Sequence, residues 1–278
     1  MYGLTGHPLG HSMSPFIHKR LFELTGKNES YELFDIDPDT VKQGFDKAIA
    51  ENDGLNVTIP YKQTVIDFVD RLDESAAKYD SVNCIAKKNG EVVGYNTDCI
   101  GFLRSVPEGS LGGKVLLLGC GGVGRMMALE ALLAGGSLTI AVIEQFVPTA
   151  ETLKEELLKK VSGAEINIVL LDKIEGEFDL LINATPVGMY PKSENCPVSE
   201  QVIKGCRNVF DAVYNPIETV LVKTAKKLGN KAVGGMSMLV LQAVAAHEIW
   251  YGAEFDSKDI DKLIEDAAEE LEKTFGKD

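Results

Sequence analysis

Two polar residues far apart in the sequence, Lys62 and Asp98, can do chemistry together if the fold brings them into contact. Lys62 closes the run Asn56-Val-Thr-Ile-Pro-Tyr-Lys62, after an apolar strand that Pro60 stops and at the opening of the next helix. A cation there opposes the helix dipole, so something other than helix stability can account for it, although a plain surface lysine would need no account. Asp98 closes Gly94-Tyr-Asn-Thr-Asp98 after another strand, and by default it caps the helix carrying Ile100, Phe102 and Leu103. Should the two meet, they form a charge-assisted pair able to orient a hydroxyl and relay its proton, as alcohol oxidation without a metal requires. A third polar cluster, Gly6-His-Pro-Leu-Gly-His-Ser-Met-Ser-Pro15, puts Ser14 before a proline, as an N-cap. Ser12, Ser14 and neighbouring N–H groups there can bind a carboxylate; Ser14 would cap its helix in either case, so Ser12 is the more informative residue.

A different chemistry belongs to Lys114-Val-Leu-Leu-Leu-Gly-Cys-Gly-Gly-Val-Gly124, a buried strand feeding a complete G-x-G-x-x-G turn. Gly119 would allow the tight turn, Gly121 the approach of a pyrophosphate, and Gly124 close packing of helix on strand. The helix N-terminus would hold the anion without any Lys or Arg. Such a turn alone can be an ordinary strand-to-helix corner. Here the apolar run Val115 to Leu118 precedes it, and a helical stretch through Leu133 closes at Gly135-Gly136. A second apolar run, Leu138 to Ile143, then ends at Glu144, twenty residues past Gly124, where a dinucleotide fold places an acid on the ribose 2′-hydroxyl.

The elements that must position these residues alternate. Tyr31 to Ile36 reads as a strand, Asp37-Pro38 as a helix start, Leu55, Val57 and Ile59 as a strand, and Val65 to Leu72 as a helix. Val82 to Lys87 and Glu91 to Tyr95, joined by Asn89-Gly90, form a hairpin. From about 102 to 237, strand and helix patterns repeat through apolar runs at 138–143, 166–171, 178–182 and 207–213, as in a doubly wound sheet. An apolar helix from Met238 to Tyr251 and an amphipathic, acidic one within 256–278 follow. The expected fold is α/β: an N-terminal α/β substrate lobe, a Rossmann-type dinucleotide domain, and C-terminal helices returning to the first lobe. The expected boundaries are 1–101 with 238–278 for the substrate lobe and 102–237 for the dinucleotide domain.

At 278 residues, with 45% hydrophobic and 25% charged residues, the chain reads as a soluble enzyme of two lobes. A formal charge of −14 argues against nucleic acid or an anionic membrane as partner. Cys84, Cys99, Cys120, Cys196 and Cys206 show no C-x-x-C spacing; with no signal-peptide pattern or membrane-length apolar stretch, a reduced, cytoplasmic setting is expected. His7, His11, His18 and His247 form no H-E-x-x-H frame, so no metal site is expected. They read as loop or helix-surface residues, with His7 and His11 able to touch a ligand.

Along essentially its whole length the chain resembles the shikimate dehydrogenase family. The matching segments are H-S-M-S-P at 11 to 15, N-V-T-I-P-Y-K at 56 to 62, V-N at 82 to 83 and G-Y-N-T-D at 94 to 98. They continue as G-C-G-G-V-G-R at 119 to 125, N-A-T-P-V-G-M at 183 to 189, D-A-V-Y-N-P at 211 to 216 and M-L-V-L-Q-A at 238 to 243. The resemblance implies NAD(P)-dependent interconversion of shikimate and 3-dehydroshikimate on the route to aromatic amino acids. It further implies that Lys62 and Asp98 are the catalytic pair and that Ser12 and Ser14 bind the substrate carboxylate. Thr58, Asn83 and Gln242 would contact ring hydroxyls, and Tyr214 would line the same cleft. Gly119, Gly121, Gly122, Val123, Gly124, Glu144, Thr185 and Gly235 make up the candidate dinucleotide contacts.

Departures from the family pattern are informative. NADP-using members commonly carry Asn-Arg-Thr where this chain has Glu144-Gln145-Phe146, so a 2′-phosphate would be repelled and NAD is the expected preferred cofactor, with NADP as a second possibility. Cys99 stands for a glycine, Cys84 for a threonine and Lys19 for an asparagine, which bears on substrate choice among shikimate, quinate and an aminoshikimate. The expected partner is thus a small carboxylate, shikimate or also quinate, acted on by a monomer or homodimer. Two rivals stand beside this reading: a noncatalytic dinucleotide-responsive regulator, which has no need of Lys62 and Asp98, and a dehydrogenase of folate or another carbonyl compound, which has no need of Ser12 and Ser14.

Overall fold

The computed structural model describes residues 1–10 and 12–275, so His11 lies outside the described residues. The first stretch of chain runs β1 (Tyr2–Gly6), α1 (Ser14–Leu24), β2 (Tyr31–Asp35), α2 (Val41–Glu51), β3 (Gly54–Val57), β4 (Arg71–Leu72), α3 (Glu74–Ala77), β5 (Cys84–Lys88), β6 (Glu91–Tyr95) and α4 (Thr97–Ser105). Its six strands form a mixed sheet in the order β2-β1-β3-β5-β6-β4. β1 runs parallel to β2 and β3, β5 is antiparallel to both β3 and β6, and β4 is parallel to β6. The carboxyl ends of β1, β3 and β6 therefore lie along one edge, together with the amino end of β5. At that edge Asn56 of β3 is in register with Cys84, and Cys84 with Tyr95. Every polar cluster of this stretch leaves the sheet there.

Local chemistry accounts for most of these elements. Asp37 accepts a hydrogen bond from Asp39 N and Pro38 opens the helical turn that leads into α2, whose buried stripe is Phe45 and Ala48. Between β5 and β6, Asn89 and Gly90 take φ values of 52° and 87°, the two left-handed residues that a tight type I′ hairpin demands. One expectation needs correction. Val65 to Leu72 is not one helix but a 3-10 turn at Thr64–Phe68 followed by β4. The edge of β6 offers unpaired backbone groups, and the chain takes them: Asp70 N donates to Val92 O at 2.8 Å and Val92 N to the Asp70 carboxylate at 2.7 Å.

The second stretch runs β7 (Lys114–Leu118), α5 (Gly122–Leu133), β8 (Ser137–Val142), α6 (Val147–Lys160), β9 (Ile166–Leu170), β10 (Phe178–Asn183), α7 (Glu200–Lys204), β11 (Cys206–Asp211), α8 (Val220–Lys227) and β12 (Lys231–Val233). All neighbours in this sheet are parallel, in the order β12-β11-β10-β7-β8-β9. Val115 to Leu118 are fully buried, as expected of a strand covered on both faces. After β7 the chain winds outward through β8 and β9, then returns to β10 on the other side of β7. This places a topological switch point between β7 and β10.

Two helices end the chain, α9 (Met236–Tyr251) and α10 (Ser257–Phe275). α9 is apolar nearly all round and largely buried, whereas α10 buries only the stripe Ile260, Leu263, Ala267 and Leu271. Trp250 Nε1 donates to Ile85 O of β5 at 3.0 Å, and Arg20 of α1 reaches Asp266 at 3.1 Å. The chain divides into two compact units, one of Met1–Leu103 with Leu239–Glu270, the other of Arg104–Met238 with residues from Leu271 onward. No helix among the described residues is long and apolar enough to cross a membrane.

Candidate active site

Lys62 follows β3, and Asp98 follows β6 two strands away; because both strands end at the same sheet edge, the two side chains meet. Lys62 Nζ lies 2.5 Å from Asp98 Oδ2, with each side chain mostly withdrawn from solvent but still reachable, at 27% and 18% exposure. The lysine backbone is fixed from below, since Val82 N donates to Lys62 O at 2.7 Å. Contrary to the expectation from the sequence, Asp98 does not cap α4. It is the second residue of the helix, and the cap is buried Asn96, whose Oδ1 accepts from Cys99 N at 3.3 Å. With capping done by Asn96, the Asp98 carboxylate is left for the lysine.

A continuous hydrogen-bonded chain joins most of the other candidates of this unit. Ser14 N donates to Ser12 Oγ at 3.2 Å, and the Ser14 hydroxyl bonds the Tyr31 oxygen. Tyr31 in turn donates to Asn56 Oδ1 at 2.8 Å, and Asn56 Nδ2 reaches Asn83 O at 3.4 Å. The Asn83 side chain grips Thr97 in both directions, donating to Oγ1 at 3.0 Å and accepting from the Thr97 N–H at 2.6 Å. Thr97 Oγ1 lies 3.4 Å from Gln242 Oε1, and Gln242 Nε2 donates to Leu239 O at 2.9 Å. Asn83 and Gln242 each have a second amide N–H left for a ligand. Thr58 is held by its backbone, donating to Thr5 O at 2.8 Å, which sets it beside β1 at the same edge.

Two expectations about this region are corrected. Ser14 is not the N-cap of α1: that position is Met13, without a side-chain cap, and Ser14 is already helical because Pro15 suits the first turn. Its hydroxyl is thereby directed to Tyr31 instead of to its own helix. His18 and His247, expected at the surface, are completely buried and bonded to each other, Nδ1 to Nε2, at 2.9 Å. His7 sits in its loop beside Asp35 at 2.7 Å; the Leu9 N–H and His7 hold that carboxyl below its usual range. No role was legible in the sequence for Tyr31, Asn56, Asn96 or Thr97, although the last three lie inside the Asn56–Lys62 and Gly94–Asp98 motifs.

In the second unit the glycine turn follows β7 at the switch point. Gly119 has φ +91°, and a Cβ there would come within 2.8 Å of Thr185 Cγ2, which places Thr185 directly against the turn. A Cβ on Gly124 would come within 2.9 Å of Gly119 O, so the helix packs as closely as only glycine permits. Around Gly121 and Gly122, by contrast, a Cβ would meet nothing within 4 Å. Gly121 is the N-cap of α5 without a side-chain cap, so the amides of Gly122, Val123 and Gly124 open the helix towards that space. An uncapped helix start facing open space across bare glycines fits a dinucleotide pyrophosphate.

The rest of this surface is held by buried polar groups. Thr185 hydroxyl and N–H both bond Asn183 Oδ1, at 2.6 and 3.1 Å; Asn183 Nδ2 donates to Asp211 at 2.9 Å, and Thr219 to the same carboxylate at 2.6 Å. Burial pushes the Asp211 carboxyl above its usual range, against the pull of these donors. Gly235 lies beyond β12, where a Cβ would fall 2.3 Å from Ala212 O. Tyr214, beyond β11, is half-buried, and burial raises its hydroxyl's pKa. Glu144 opens an exposed turn just after β8, with no Lys or Arg between Leu138 and Leu153.

A parallel sheet carrying this glycine turn at its switch point is that of an NAD(P)-dependent oxidoreductase. Residues 4–85 match the shikimate dehydrogenase substrate binding domain. Over 263 residues the chain is 37% identical to the NADP(+) shikimate dehydrogenase of Caldanaerobacter subterraneus subsp. tengcongensis, covering 92% of this chain and 93% of that one. Its fold is similar to that of shikimate 5-dehydrogenase from Thermus thermophilus, solved with NADP(H) and shikimate, with TM-score 0.82, 29% identity and coverage of 96% and 98%. It is similar too to the Listeria monocytogenes enzyme, solved with shikimate and NAD, with TM-score 0.85, 27% identity and coverage of 95% of each chain. The chain belongs to the shikimate dehydrogenase family.

Proposed function

We propose that this chain catalyses the reversible oxidation of shikimate to 3-dehydroshikimate and prefers NAD. The observation that carries the chemistry is the 2.5 Å contact between Lys62 and Asp98 at a sheet edge lined with polar groups. In the oxidative direction Lys62, as the amine, takes the proton of the reacting hydroxyl, and it returns that proton in reduction; Asp98 accepts a hydrogen bond and holds both lysine and hydroxyl in line. The nicotinamide of the bound dinucleotide supplies the hydride acceptor. Ser12 and Ser14 receive the carboxylate, Thr58, Asn83 and Gln242 hold the ring hydroxyls, and Tyr214 lines the substrate's surroundings. Residues 1–101 and 238–278 are assigned to substrate, and 102–237 to the dinucleotide.

On the dinucleotide side, Gly119, Gly121, Gly122, Val123 and Gly124 receive the pyrophosphate, with Thr185 and Gly235 as further contacts. Glu144 supports NAD, because its carboxylate accepts hydrogen bonds from a ribose diol and repels a phosphate, and its neighbours on the exposed turn carry no cation. The test is a steady-state comparison of shikimate and quinate, each with NAD and NADP. Shikimate with NAD is expected to give the highest kcat/KM, and Glu144→Asn with Gln145→Arg is expected to move the NADP-to-NAD ratio up by about tenfold or more, the equivalent of about 1.4 kcal/mol. A wild-type preference for NADP would overturn the Glu144 reading, and no dinucleotide reduction in any pairing would favour the regulator.

A further inference from the structure

The buried histidines form a wire with one possible direction. Each neutral imidazole has a single N–H. His18 Nε2 is buried without a hydrogen-bond partner among the described residues, so a proton there would be an unpaired buried donor. On Nδ1 the same proton donates to His247 Nε2 at 2.9 Å. His247 then carries its proton on Nδ1 and donates to the Tyr251 oxygen at 2.5 Å. Tyr251 donates to Thr25 Oγ1 at 3.3 Å, and Thr25 ends the wire on the Leu21 and Phe22 carbonyls, both at 3.1 Å. Burial keeps both rings neutral, pushing His247 down to about 3 and His18 well below the imidazole range.

The wire begins beside a candidate substrate contact. His18 lies one helical turn after Ser14 in α1, and its ring stacks flat on Tyr31, with centroids 4.0 Å apart and planes 6° from parallel. Tyr31 is the residue whose oxygen the Ser14 hydroxyl bonds and whose own proton goes to Asn56. Apolar rings would fill the same volume without burying polar atoms, so packing alone does not call for two histidines here. We propose that His18 and His247 are positioning residues which, through the stacked Tyr31 ring, hold the Ser14 hydroxyl in the orientation that receives the substrate carboxylate. This rests on the reading of Ser14 as a carboxylate contact.

His247→Phe keeps the ring volume and removes the acceptor, whereas His247→Gln keeps an acceptor for His18 Nδ1–H. In His247→Phe the KM for shikimate is expected to rise about tenfold, with kcat within about twofold and the dinucleotide KM unchanged; His247→Gln should recover most of the loss. An unchanged shikimate KM in His247→Phe, or equal losses in the Phe and Gln variants, would overturn the proposal. If His247→Phe does not fold, Tyr31→Phe takes its place: it keeps the stack and removes the oxygen that Ser14 bonds. A raised shikimate KM with an unchanged dinucleotide KM supports the Tyr31–Ser14 link through which the histidines act, and an unchanged shikimate KM overturns the proposal. Ser14→Ala, measured alongside, separates the two levels. If it raises the shikimate KM while the histidine variant does not, only the positioning role fails; if it leaves that KM unchanged, the carboxylate reading and the positioning role fall together.

Discussion

Lys62 is half-buried, directed at a carboxylate, and anchored through its own carbonyl, so its geometry is set before any substrate arrives. Such preorganisation lets a proton move without first moving the side chain. Removing the amine should therefore affect the transition state much more than binding. Lys62→Ala is expected to lower kcat for shikimate by about a hundredfold to ten-thousandfold, with a far smaller change in KM. Steady-state rates over a range of shikimate concentrations check this, and an unaltered kcat would remove the lysine from proton transfer. Asp98 is at the lysine's service for a reason visible only two residues away: Asn96 has taken the capping duty that the sequence pattern assigns to the aspartate.

At the scale of the element, α4 is thus both a structural and a functional unit. Its cap, Asn96, is buried and also donates from Nδ2 to Ser81 O at 3.0 Å, while its first two residues are Thr97, gripped by Asn83, and Asp98, paired with Lys62. Asn96→Ala should destabilise the protein by about 1 kcal/mol through the lost cap, and by somewhat more if the Ser81 carbonyl is left without its partner. Chemical denaturation with a comparison of midpoints at constant slope measures it. An effect indistinguishable from zero would mean that the helix start is held by the Asn83 grip alone. β4 teaches a related lesson, because an apolar pattern suited to a helix was redirected by an open strand edge that the same stretch of sequence does not contain.

For the whole molecule, the buried histidine pair sets an acid limit. An unfolded histidine takes up a proton near pH 6.5, while burial lowers the folded pKa of His247 to about 3 and of His18 in the same direction. Below pH 6.5 the unfolded chain therefore binds more protons, so the stability is fully present above that pH and is lost as pH falls towards the folded values. Each such histidine costs about 1.4 kcal/mol per pH unit over this window. The net charge of −14 acts in the opposite sense, since protonation of an acidic chain relieves self-repulsion. Comparing His247→Gln with the wild type cancels that general effect: from pH 6.5 to 5 the variant's melting temperature is expected to fall less steeply. Parallel slopes would show that His247 does not titrate on unfolding.

The sequence by itself determined the alternation of strands and helices, the Asn89-Gly90 hairpin, the glycine turn after β7 and the acid after β8, because each is written in a short window as spacing, as left-handed glycine chemistry or as a bare helix start. It offered Lys62 and Asp98 as a pair only on condition that they meet and through the family resemblance, since no spacing joins residues 62 and 98. Only the tertiary structure decided that they touch, and it did so through strand order: β5 reverses between β3 and β6, so their carboxyl ends emerge together. The Ser14, Tyr31, Asn56, Asn83, Thr97 and Gln242 chain was illegible for the same reason, since hydrogen bonds between residues up to 145 positions apart leave no periodic trace. The burial of His18 and His247 belongs to this class as well. A lone histidine in a helix reads as surface, and it takes the packing of α9 on α1, 229 residues apart at that contact, to bury both rings.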